Sequence, residues 1–211
     1  MRLLDHTIAF GAGFMVAVVL LGMLPEVFAV DESGALFILA GFLAVHVAQH
    51  VLTPHFHFGL ETHRVSASAG VSAAIGLSLH TFFDGVAIAS GFQVGSELGI
   101  LVFLSVFLHK LPEGLTVASV VLASGQSPRR ALGWSLVPAG ATLLGLLVTD
   151  RVAGLATHGL AVAAGVTLYV ATANLLPEFQ AKRTWATTAA FFGGVATFAI
   201  AQLLLVRAGA H

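Results

Sequence analysis

Cysteine is absent from all 211 residues. Disulfides and thiolate metal sites are therefore excluded. Charge is scarce as well: Asp, Glu, Lys and Arg make up 9% of the chain, against about 25% in a soluble domain. The formal net charge is −1, so there is no basic surface for nucleic acid. No nucleophile–base pair and no phosphate-binding loop is present, and the chain does not read as an enzyme. Without an ATP motif, any work it does must draw on a gradient or a coupled ion. What fills the sequence is hydrocarbon: 57% of residues are hydrophobic and the mean hydropathy is +0.96. Such a composition suits a chain whose outer surface faces lipid.

A helix needs about 20 apolar residues to cross a bilayer. Seven stretches qualify, at about 8–28, 34–53, 68–92, 97–123, 129–149, 152–176 and 185–206. The first is longer than a signal-peptide core and ends without a small-residue cleavage site, so it reads as a span. The expected fold is an all-α polytopic membrane bundle, with residues 1–211 forming a single transmembrane domain in contact with the lipid bilayer. Lys and Arg favour the cytoplasmic side of such a bundle. Arg2, Arg64, Arg129, Arg130, Lys182 and Arg183 fall on one side, and Arg151 and Arg207 on the other. This places the N-terminus in the cytoplasm and the C-terminus outside. The outer loops then hold Asp31, Glu32, Glu97 and Asp150, which could concentrate cations.

Polar residues are concentrated in the third and fourth spans. The third contains His80-Thr-Phe-Phe-Asp84-Gly85, and the fourth His109-Lys110-Leu-Pro112-Glu113-Gly114. Residues i and i+4 share a helix face, so each span can present one imidazole and one carboxylate to a common point. Two such helices supply two nitrogens and two oxygens, a donor set that suits zinc. Iron, manganese and cadmium also fit this set; the metal is substrate, and no catalytic cofactor is expected. The motifs lie near the middle of their spans, where an ionisable residue costs about 2.5–3.5 kcal/mol to insert. Asp84, His109, Lys110 and Glu113 must therefore face one another, water or an ion. A simpler reading pairs Lys110 with Glu113 or Asp84 as a structural ion pair, but it leaves the paired His-x3-carboxylate-Gly units unexplained.

Pro112 removes an N–H donor and frees the carbonyl of Leu108. Gly85 and Gly114 are expected to allow close helix approach. Similar motifs on oppositely directed helices suggest an inverted repeat. Leu24-Pro25-Glu26 at the end of the first span matches Leu176-Pro177-Glu178 at the end of the sixth. Pairing third with fourth, first with sixth and second with seventh leaves the fifth unmatched.

Five further histidines fall within residues 46–63: His46, His50, His55, His57 and His63. They are expected to form a low-affinity relay at the cytoplasmic side. His6, His158 and His211 read as ordinary surface residues. Asn174 could line the path, and Glu178 could belong to an exit.

His109-x-x-Pro112-Glu113-Gly114 with His80-x-x-x-Asp84-Gly85 resembles the metal-site helices of the ZIP (Zrt/Irt-like) divalent metal transporters. Gly11 through Glu26, Gly41 through His50, Pro138-Ala-Gly140 and Tyr169 through Glu178 resemble further helices of that family. The resemblance implies an eight-helix bundle, here without the first, and a bacterial inner-membrane setting. It implies metal movement towards the cytoplasm, helices that move as a unit against a scaffold, and a homodimer. It puts His80, Asp84, His109 and Glu113 on the primary metal site and Met15 beside it as a soft ligand. Thr81, Lys110 and Val137 stand where members with two metals carry amides or acids. The expectation is one metal, with Lys110 balancing Asp84 and Glu113. Two other readings compete: a metal-binding membrane protein that does not transport, such as a sensor or partner subunit, and a structural protein with an internal salt bridge.

Overall fold

The computed structural model describes residues 2–30, 32–52, 67–180 and 184–207. His55, His57 and His63 of the expected relay lie outside the described residues, as do Asp31, Glu61, Arg64, Lys182, Arg183 and His211. Among the described residues there are seven helices and no strand. They are α1 (2–30), α2 (34–52), α3 (Ala67–Val94), α4 (Ser96–Ala123), α5 (Pro128–Val148), α6 (153–180) and α7 (Trp185–Arg207). The chain is an all-α polytopic membrane bundle. Helices α1, α4, α5, α6 and α7 are long and apolar enough to cross a membrane. Helix α2 is apolar but shorter over Gly34–His50. Helix α3 is 28 residues long, and His80, Thr81, Asp84, Gln93 and several serines dilute its apolar character.

Local signals explain the boundaries. Ser127 caps α5, its hydroxyl accepting from the Arg130 N–H at 3.4 Å, and Pro128 takes the first helical position. Proline suits that position because its N–H would have no partner there. Gly125, at φ +80°, turns the chain between α4 and α5; only glycine adopts that conformation freely. The outer surface is hydrocarbon. Phe103, Phe107, Leu111 and Leu115 form an exposed stripe on α4, and Leu132, Leu136, Leu143 and Leu147 another on α5. Apolar stripes of that length belong against lipid.

The largest helix contacts pair α3 with α5, α1 with α7, and α2 with α6. All three crossings are built alike. In each, a glycine on one helix lies so close to a backbone carbonyl of its partner that a Cβ would overlap it, and the partner returns the contact. Gly13 meets Phe191 while Gly194 meets Phe10; Gly41 meets Val162 while Gly165 meets Ile38; Gly85 meets Thr142 while Gly145 meets Phe82. Small residues let helix backbones pack this tightly. Gly114 does not behave as expected: nothing lies within 4 Å of where its Cβ would be. Its carbonyl instead accepts from the Ser135 hydroxyl of α5 at 3.2 Å.

The first two of these crossings to involve α1 and α6 are related by register. Phe10 and Gly13 of α1 correspond to Val162 and Gly165 of α6, when Leu24-Pro25-Glu26 is laid on Leu176-Pro177-Glu178. Both helices also carry a π-helical turn just before that tripeptide, at Val18–Met23 and Val170–Leu175. Phe191 and Gly194 of α7 correspond in turn to Ile38 and Gly41 of α2. The contacts thus relate first to sixth and second to seventh, the pairing that the sequence suggested.

Candidate metal centre

Helices α3 and α4 lie side by side and bring both motifs together. His80, Asp84, His109 and Glu113 are each 4% exposed or less. His80, Asp84 and Glu113 each offer a donor atom, all within 4.8 Å of one another. His80 Nε2 is 3.8 Å from Glu113 Oε1. His109 Nε2 is 3.2 Å from Asp84 Oδ2. A tetrahedral ion with bonds of about 2.1 Å separates its donors by about 3.4 Å, so the cluster is close to the spacing such an ion requires.

Hydrogen bonding decides which atoms are open. His109 Nδ1 lies 2.9 Å from the Ser105 carbonyl four residues earlier. A carbonyl only accepts, so Nδ1 carries the proton. In the neutral ring Nε2 is then an acceptor, yet it faces a carboxylate oxygen. Two acceptors at that distance require a shared proton or cation. Fixing the remote nitrogen on a carbonyl is also how metal-ligating histidines are oriented. His80 Nδ1 and Glu113 Oε1 are buried without a hydrogen-bond partner. Such atoms are costly to leave unmet, by about 1–3 kcal/mol each.

Lys110 links the two carboxylates. Its Nζ is 2.7 Å from Asp84 Oδ2 and 2.9 Å from Glu113 Oε2. It takes one oxygen of Glu113 and leaves Oε1. The ion pair of the simpler reading is therefore present, but it does not use up the donors. Thr81 is buried and its hydroxyl donates to the Ser78 carbonyl at 3.2 Å. Val137 is 39% exposed, on the outer surface. The Leu108 carbonyl freed by Pro112 lies against α1, 3.8 Å from where a Cβ of Gly11 would sit.

The remaining expected residues are spread out. Met15 is fully buried in an apolar cluster with Ile8, Ala12, Val170, Ala171 and Leu175. Asn174 is buried in the π-helical turn of α6, its amide nitrogen without a partner. His46 and His50 are exposed and stacked, with ring centroids 4.4 Å apart. Tyr169, not singled out from the sequence, places its hydroxyl 3.3 Å from His50 Nδ1 and its ring edge-on to Phe42. His158 is not an ordinary surface residue: it is half-buried and stacks on Phe37 with centroids 3.9 Å apart. No periodicity could reveal either partner, because each lies on a helix distant in sequence.

A buried, lysine-balanced cluster of imidazoles and carboxylates inside a polytopic membrane bundle is compatible with a metal site. Residues 57–202 match the family model described as ZIP Zinc transporter. The chain belongs to the ZIP family. It is similar to the zinc transporter ZIP10 of Homo sapiens, 35% identical over 108 residues that cover 49% of this chain and 13% of that protein. It is similar to ZIP4 of Mus musculus, 37% identical over 113 residues, 52% of this chain and 17% of that protein. The zinc transporter SLC39A7 of Mus musculus is 36% identical over 126 residues, 54% of this chain and 26% of that protein. The chain thus matches about a quarter or less of the length of these curated relatives.

Proposed function

We propose that this chain carries a divalent metal ion, zinc foremost, across a membrane towards the cytoplasm through one site at mid-depth. His80, Asp84, His109 and Glu113 are the ligands in this reading. The observation that carries it is the approach of His109 Nε2, on a ring whose Nδ1 donates to the Ser105 carbonyl, to Asp84 Oδ2, a contact that requires a shared proton or cation. A cation between these acceptors, completed by Glu113 Oε1 and a nitrogen of His80, removes the conflict. The named relatives are zinc transporters, which supports zinc as the substrate over iron, manganese or cadmium.

Lys110 sets how tightly the ion is held. Asp84 and Glu113 alone would bind a dication too firmly to release it. The ammonium removes one charge from that sum and occupies the place of a second metal. His46, His50 and the histidines of residues 54–67 then receive the departing ion, with Asn174 beside the path and Met15 as a soft contact near the site. The N-terminus faces the cytoplasm in this scheme. A bacterial inner membrane and a homodimer are its expected setting.

Zinc uptake into proteoliposomes tests the reading, comparing the natural chain with Glu113→Ala. Uptake should fall to background in the variant. Equal uptake in both would sink the proposal. Zinc binding without uptake by the natural chain would favour the second reading, a membrane sensor or partner subunit, which the presence of Lys110 at the second-metal position motivates.

A further inference from the structure

We propose that the cavity between the end of α1, the end of α3 and the start of α6 is a second, weaker binding site for a hydrated divalent first-row cation. The cavity has a volume of about 210 Å³. Five polar side chains line it: Glu26 from α1, Ser90 and Gln93 from α3, and Thr157 and His158 from α6, of which Thr157 is bonded to its own helix at the Ala153 carbonyl. Its other walls are largely apolar, including Val27, Val30 and Val94.

Ser90 gives the strongest indication. It is 3% exposed, and its Oγ has no hydrogen-bond partner. Serine and threonine inside helices usually satisfy themselves on a carbonyl one turn back. Ser135, Thr142, Thr149 and Thr157 all do so in this chain. Ser90 does not, and its hydroxyl lines the cavity. The Gln93 amide nitrogen is taken by Asp150 of the α5–α6 connection, so the carbonyl oxygen is what the side chain has left to offer. The ring of His158 is held by its face on Phe37, and nitrogens lie on the ring edge. The set is one carboxylate, one imidazole, one amide oxygen and one hydroxyl. It has a single negative charge and mostly oxygen donors, which suits a cation that keeps much of its water. Water occupies about 30 Å³ per molecule, so the cavity admits an ion with a partial hydration shell.

The register that relates α1 to α6 supports the pairing. It lays Glu26 on Glu178 and His158 on His6. The Glu–His combination at the end of one helix and the start of the other is therefore repeated in sequence at the opposite end. Ser90 lies six residues along α3 from Asp84, about 9 Å at the helical rise. The site would load a cation near the midplane cluster without touching it. That role rests on the transport reading, whereas binding in the cavity does not.

The chain has no cysteine, so one introduced thiol reports on the cavity. Val30→Cys in the full-length chain is reacted with a maleimide, with and without zinc sulfate. Zinc should slow the reaction at least fivefold. Protection should persist when Glu113→Ala is added, which keeps this test separate from the midplane site. It should vanish with Glu26→Gln or His158→Ala, and fall at least twofold with Ser90→Ala. A cysteine at Ala186, at the other end of the bundle, should show no protection. No protection at Val30→Cys would overturn the proposal. Protection unchanged by Glu26→Gln and His158→Ala would also overturn it, since zinc would then be binding the thiol alone. Should those two variants fail to fold, Ser90→Ala decides, and unchanged protection in it counts against the site.

Discussion

The two sides of the midplane cluster are built from different materials. Towards the end where α1 stops and α6 starts, the core contains Val19, Met23, Ala87, Leu101 and Val102, all 2% exposed or less. Towards the other end lie Gln49, His50, Tyr169 and Asn174, of which Gln49 and Asn174 are buried and Asn174 holds an unmet amide nitrogen. A cation crossing that apolar layer, between the midplane cluster and the Ser90 cavity beyond it, would shed ligands and gain none on the way, which is prohibitive in an apolar medium. Moving into the polar side, it would exchange one donor for the next. The contrast teaches that the shape described is shut on one side by dispersion and close packing, and left permissive on the other by polar groups that are only partly satisfied.

That contrast presumes one central site from which both sides are reached. Lys110→Asp is the strongest attempt to break it. Removing the ammonium and adding a carboxylate should raise zinc stoichiometry from about one to about two per chain in equilibrium dialysis at zinc levels too low to fill the weaker Ser90 cavity, if a lysine does stand in for a second dication. A value that stays at one would end the substitution idea. Val102→Asn places a side-chain amide, which one carbonyl a turn back cannot satisfy, in the sealed side. It should destabilise the chain by about 1–3 kcal/mol, seen as a lower melting temperature in detergent. Asn174→Leu makes the opposite change on the polar side. Deleting an unmet buried amide should stabilise by about 1 kcal/mol while slowing zinc uptake. If both substitutions shift melting the same way, the two sides are not different in kind. Tyr169→Phe should have the smallest effect, about 1 kcal/mol or less, with uptake rates within about twofold of the natural chain. A larger change would make the Tyr169–His50 contact a gate and not a support.

Spacing made the centre legible. His80 with Asp84 and His109 with Glu113 are separated by one helical turn, so their common faces could be read directly, and the apolar lengths around them gave the bundle. The inverted pairing was legible from the two His-x3-carboxylate-Gly motifs and from Leu-Pro-Glu, and the glycine contacts supplied the detail for first with sixth and second with seventh. What could not be read was anything fixed between distant helices. Gly85 and Gly114 occupy the same motif position, yet one is pressed against α5 and the other meets nothing within 4 Å. A solitary Tyr169 in an apolar run gives no sign that His50 waits 119 residues away. His158 looked like a surface residue because its neighbour Phe37 belongs to another helix. Nothing in the sequence marks Ser90, whose unmet hydroxyl and place beside a cavity exist only in the fold.

The π-helical turns in α1 and α6 bear on the history of the chain. Such a turn holds one residue more than the α-helix around it, the trace of an insertion absorbed without breaking the rod. Here the two insertions fall at equivalent positions, each immediately ahead of Leu-Pro-Glu. Independent events would have had to strike the same point twice. A single insertion in an ancestral half, copied when that half was duplicated, accounts for both. The turn at Ala48–Leu52 in α2 has no equivalent in α7, which is α-helical throughout Trp185–Arg207. The two halves therefore differ at this point while sharing the turn ahead of Leu-Pro-Glu.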